Sequence, residues 1–129
     1  MPILTPGEIN ARSLDYTDKQ LEIDRFDPTN GITALAGGGQ ANAITFTKQV
    51  NRVTTVGTAA DSVKLPKAVP GCQPLVVINA AAANSMNVFP ASGDAVNALA
   101  ADAAFAVAAN KTVMFFCAVA GTWNTIVTA

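Results

Sequence analysis

From residue 43 onward the hydrophobic positions fall in short runs rich in β-branched and aromatic side chains, with turn-forming residues between them every eight to twelve positions or so, which is the pattern of a sandwich or barrel. Reading each run between its breaks predicts strands at residues 43–47, 49–56, 62–65, 75–79, 86–89, 96–99, 103–107, 112–118 and 122–127. The breaks lie at 58–61, 66–71, 80–85 and 90–94, at Asp102, at 109–111 and at Ala120-Gly121, where Gly, Pro, Asn and Asp interrupt ladders. Residues 94–110 are ambiguous, because Val96, Leu99, Ala103 and Val107 have helical spacing in an alanine-rich stretch. Phe105 and Val107 alternate and their surroundings are β-type, so we read strand there and leave a one-helix variant open.

Two runs depart from simple alternation. Val113-Met114-Phe115-Phe116-Cys117-Ala118-Val119 is apolar on both strand faces, and Leu75-Val76-Val77-Ile78 shares that character. An outer sheet face normally alternates with polar residues, so these strands need cover on both sides. Either the chain's own loops and N-terminal segment supply it, or another subunit or a foreign protein surface does. Val113, Phe115, Phe116, Val119 and Trp123 are the candidate oligomer-interface residues. Trp123 reads first as a core residue and second, with Tyr16, as an exposed stacking platform for a sugar. Alanine fills many remaining positions and buries little area per residue, which favours association.

The front of the chain differs. Residues 1–30 carry Glu8, Asp15, Asp18, Glu22, Asp24 and Asp27 against Arg12, Lys19 and Arg25, a balance of −3, whereas residues 31–129 balance at +2. With few aliphatics and no sustained period beyond a weak helical spacing of Leu21 and Phe26, this segment buries too little to offset its ordering entropy. Residues 1–36 are therefore expected to form an extended arm held by a partner, and residues 37–129 the body. Glu8, Arg12, Asp15, Asp18, Glu22, Asp24, Arg25 and Asp27 are its candidate contact residues. The run Gly37-Gly38-Gly39-Gln40 reads as a flexible hinge. A phosphate loop needs Gly-Lys-Ser/Thr before a helix, and neither follows.

Composition narrows the function classes. Half of the 129 residues are hydrophobic and 13% are charged, against about 25% in an ordinary soluble domain, so much of the surface is expected to be hidden. A net charge of −1 offers no basic stripe for nucleic acid, and Lys48, Arg52, Lys64 and Lys67 lack interleaved aromatics. The N-terminus has no basic and apolar leader pattern, and no run is long and apolar enough to span a membrane, so assembly in a cytoplasm without membrane contact is expected. Histidine is absent, which removes His-activated nucleophiles and the commonest metal ligand. Asp61, Asp94 and Asp102 stand in turn contexts, and Cys72 and Cys117 read as free thiols. Neither catalysis nor a metal or cofactor is expected.

Four blocks carry a resemblance: Ala60-Asp61-Ser62-Val63-Lys64-Leu65-Pro66, Val76-Val77-Ile78-Asn79, Asn87-Val88-Phe89-Pro90-Ala91-Ser92-Gly93-Asp94 and Ala120-Gly121-Thr122-Trp123. In this order, across residues 45–127, the chain resembles the capsid decoration (cement) proteins of tailed bacteriophages, and also trimeric tail-fibre or tail-spike modules. The resemblance implies an all-β, jelly-roll-like β-sandwich with an extended N-terminal arm. It also implies self-association as dimer or trimer on the virion exterior, at symmetry axes of the head, against the major capsid protein. A short chain without repetitive shaft sequence or adsorption tip fits decoration better than a fibre.

Overall fold

The computed structural model describes residues 26–129. These form β1 (Pro28–Thr33), β2 (Ile44–Thr45), β3 (Val50–Thr55), β4 (Ser62–Lys64), β5 (Leu75–Asn79), β6 (Met86–Phe89), β7 (Ala95–Val96), β8 (Phe105–Val107), β9 (Thr112–Val119) and β10 (Thr122–Val127). No helix occurs among the described residues. The strands make a six-stranded sheet in the order β1-β3-β5-β9-β10-β7 and a four-stranded sheet in the order β2-β4-β6-β8.

The all-β, two-sheet expectation holds, but its wiring differs from a jelly roll. Through β6 the chain alternates between sheets at every step, so β1, β3 and β5 stack in parallel in one sheet and β2, β4 and β6 in the other. Parallel neighbours need a crossover, and here a strand of the opposite sheet supplies it. The result is a short β-solenoid-like coil. Antiparallel pairing begins afterwards: β8 lies against β6, β9 against β5, and β10 folds back on β9, with β7 parallel to β10 at the far edge.

Inward positions of the two sheets fill one core. Val53, Val77, Val113, Phe115 and Trp123 from one sheet meet Val63, Met86, Val88 and Val107 from the other, with Leu65 just past β4. Phe115 packs edge-on against both Phe105 and Trp123, with ring centroids 6.1 and 6.4 Å apart, an arrangement that suits the aromatic quadrupoles.

Several local expectations need correction. The segment expected to belong wholly to the arm contributes β1, which pairs with β3 through a register irregular around Gly31. Residues 94–110 hold two strands and no helix, as favoured, but both are shorter than the expected 96–99 and 103–107, with Asn97 and Asp102 at positive φ of 52° and 66° between them. The glycine run is pinned rather than hinge-like: Gly37 N donates to Asp61 Oδ1 (3.1 Å) and Gly39 O accepts from Ser62 Oγ (2.9 Å). Gly38 sits at φ 71°, and a Cβ there would stand 2.8 Å from the Ala60 carbonyl oxygen.

This geometry yields a paired expectation. Gly38→Ala combines backbone strain with a clash against immobile backbone and should cost about 2–3 kcal/mol, while Gly31→Ala, at positive φ in open space, should cost about 1 kcal/mol. Urea denaturation of both variants measures the difference.

Candidate interaction surfaces

The turns of the coil are braced by polar side chains, several of them taken out of water. Asp61, 2% exposed, accepts from Thr58 N (3.0 Å), Thr58 Oγ1 (2.8 Å) and Gly37 N (3.1 Å). Asp94, 1% exposed, accepts from Ala68 N (2.8 Å) and from the Lys67 ammonium, tying the β6–β7 turn to the β4–β5 connection. Asp102 takes bonds from Gln40 Nε2 (2.9 Å) and Gly93 N (2.7 Å). Asn79 bridges the Asn84 and Val107 carbonyls, and Asn84 bridges those of Val56 and Gly57.

These are structural roles. The hydrogen bonds from Thr58 hold the Asp61 carboxyl below its ordinary value, and those from Gln40 and Gly93 do the same for Asp102. Among the described residues no group of three His, Cys, Asp or Glu could hold a metal ion. No helix of the described residues is long and apolar enough to cross a membrane.

The expected interface residues separate by face. Val113, Phe115 and Trp123 are fully buried between the sheets and so belong to the chain's own core, because alternate side chains of one strand point opposite ways. Phe116 lies partly exposed on the outer face, and Val119, 64% exposed, lies near the β9–β10 turn. The outer face of the large sheet carries more apolar surface than those two residues. Register places Val50, Val76, Met114 and Ile126 in one row across β3, β5, β9 and β10, with Ile78 and Phe116 to either side. Ile126 is 62% exposed and the others are partly exposed. The alternation of β5 and β9 carries this signal, since outward positions there would be polar in a sheet facing only water.

Of the expected arm contacts, Asp27 is described: its carboxylate pairs with Lys48 at 2.6 Å. Glu8, Arg12, Asp15, Asp18, Glu22, Asp24 and Arg25 lie outside the described residues. The basic cluster is locally engaged, with Arg52 bonded to Asn30 (2.9 Å) and Lys67 to Asp94.

One concavity accompanies these surfaces. A groove of about 470 Å³ opens between the β2–β3 and β4–β5 connections, lined by Phe46, Lys48, Pro66, Val69, Leu75 and Trp123 among others. Trp123 is only 1% exposed, so its ring offers no platform for a sugar, and its Nε1 donor has no acceptor among the described residues. An unmatched buried donor costs about 1–3 kcal/mol. Sequence reading placed Trp123 in the core, but nothing in the local sequence marks its N–H as unpaired. A comparison with known protein families, curated proteins and solved structures finds no match to this chain.

Two measurements check these assignments. Groups whose folded pKa is lowered stabilise the fold above their unfolded value, and that contribution is lost as pH falls through the folded value. The melting temperature should therefore drop with acidification below about pH 4, the ordinary carboxyl value being 3.8. Asp61→Asn, which sets an amide donor against the donors at Thr58 and Gly37, should lower the neutral-pH melting temperature by several degrees and flatten part of the acid slope. The thiols should also differ. Cys72 is exposed, while burial pushes the Cys117 thiol up, and neighbouring Cys72 adds to this. A limiting thiol reagent should label Cys72 well before Cys117, as read by peptide mass spectrometry.

Proposed function

We propose that this chain is a virion structural protein, a decoration (cement) protein that binds the outside of a tailed-phage head and stabilises it by bridging major capsid protein subunits. The observation that carries the reading is the apolar outer face of the six-stranded sheet, the row Val50, Val76, Met114 and Ile126 with Phe116 beside it. A face of this kind is suited to lasting burial against protein. Self-association through it, as dimer or trimer, sets several copies side by side. Many modest contacts per assembly then add up without a single dominant one. The acidic N-terminal segment extends the contact to neighbouring capsid subunits, and its charges respond to salt.

The parallel coiling favours a second reading, a tail-fibre or tail-spike module, because stacked coils extend naturally along one axis. Against it, the antiparallel β9–β10 hairpin and β8 interrupt the stack after β5 and β6.

Quantitative mass spectrometry of purified particles separates the two. Decoration requires hundreds of copies that follow the head fraction; a handful of copies in the tail fraction supports the second reading, and absence from particles sinks both. Replacing Met114 and Ile126 together by Lys should leave a folded chain but weaken head attachment tenfold or more, about 1.4 kcal/mol per tenfold. Unchanged occupancy of heads by that variant would remove the sheet face from the interface.

A further inference from the structure

The chain's two cysteines, far apart in the sequence, are brought together at one end of the large sheet. The connection between β4 and β5 runs alongside the end of β9 and its turn into β10: Gly121 N donates to Ala68 O (3.1 Å), and Gly71 N donates to Cys117 O (3.1 Å). Backbones joined in this way stand about 5 Å apart, and Cys72 directly follows Gly71. Such a spacing falls within the roughly 4.4–6.8 Å between Cα atoms that a disulfide spans. The thiols also sense each other: burial holds Cys117 above its ordinary value, and the charge of Cys72 beside it adds to this.

The two thiols have unequal access to solvent, which sets an order of reaction. Cys72 is exposed and lines the open groove, whereas Cys117 is 7% exposed on the inward side of β9. A small reagent therefore meets Cys72 first, and Cys117 can react only with a sulfur already beside it. Cys72 N donates to Val69 O (3.2 Å), closing a turn over Pro70 and Gly71. Gly71 sits at φ 79° with open space where a Cβ would stand. Bringing the sulfurs into contact takes a rotation of one exposed side chain, with any backbone adjustment absorbed at the glycine.

We propose that Cys72 and Cys117 form a reversible redox pair, which an oxidising disulfide such as glutathione disulfide closes into a staple between the β4–β5 connection and β9. The Cys72 thiolate attacks glutathione disulfide, forming a mixed disulfide and releasing one glutathione thiolate. Cys117, having given up its proton, then attacks the Cys72 sulfur. The protein S–S bond forms, the bond to glutathione breaks and the second glutathione leaves. Two protein thiols are oxidised, one glutathione disulfide is reduced, and the two thiol protons pass to the departing glutathione sulfurs. The open pair is the form of a reducing compartment and the closed pair that of an oxidising one. The closed loop contains β5 through most of β9, so the bond constrains the unfolded chain over much of the body. The proposal stands independently of the capsid reading, because it concerns the isolated chain.

The test uses the folded full-length protein, equilibrated in a glutathione buffer of oxidising ratio, quenched with acid and then blocked with N-ethylmaleimide under denaturing conditions. Intact mass should show a chain two hydrogens lighter than the reduced form and carrying no blocked thiol, and peptide mapping should join Cys72 to Cys117. The same product should form at every protein concentration, melt several degrees above the reduced form and reopen with dithiothreitol. Cys117→Ala should stop at the glutathione adduct on Cys72, and Cys72→Ser should leave Cys117 unmodified over the same time. The wild-type mapping decides the matter by itself if the Cys117 substitution disturbs folding. A wild type that keeps the glutathione adduct on Cys72 beside a free Cys117 would overturn the proposal. So would a bond that forms only in denaturant, a bond between the Cys72 residues of two chains, or an oxidised form that melts no higher than the reduced one.

Discussion

Stacking strands in parallel without helices forces the chain to reverse at the end of every short strand, and each reversal leaves backbone donors and acceptors facing protein rather than water. Everything else in this fold depends on meeting that demand. Side chains of Asp and Asn meet it. Asp61 gathers the N–H groups of two different turns, Asp94 reaches across to Ala68, and Asn79 and Asn84 join carbonyls of successive coils. The polar residues buried in the body are therefore its joints.

With the coil held in this way, the alternation along β5 and β9 acquires two separate uses. Inward residues close the core around Phe115, and outward residues leave an apolar row across four strands. The same sheet thus closes the core on one side and presents an apolar face on the other.

Much of this was legible in the sequence. Residues 75–79, 86–89 and 122–127 form strands with the bounds read from their apolar runs, because clear breaks flank them. β1 was hidden, since Pro28, Asn30 and Gly31 are poor strand formers and little of it packs inward apart from Ile32. Strand direction was also out of reach: a period of two looks identical in parallel and antiparallel pairs, so the jelly-roll expectation had no local signal to correct it. The bond from Asp94 to Ala68, and the unpaired N–H of Trp123, arise from contacts between segments distant in the chain, which local patterning does not record.

The irregular first strand bears on how the larger sheet ends. β1 ends the larger sheet, and an open strand edge is a template on which another chain can zip up. Here Pro28 has no N–H to offer, and the shifted register around Gly31 spoils a continuous row of donors and acceptors. The edge is blunted against runaway filament growth. The larger sheet is thus closed to strand addition at its β1 edge by local backbone geometry alone.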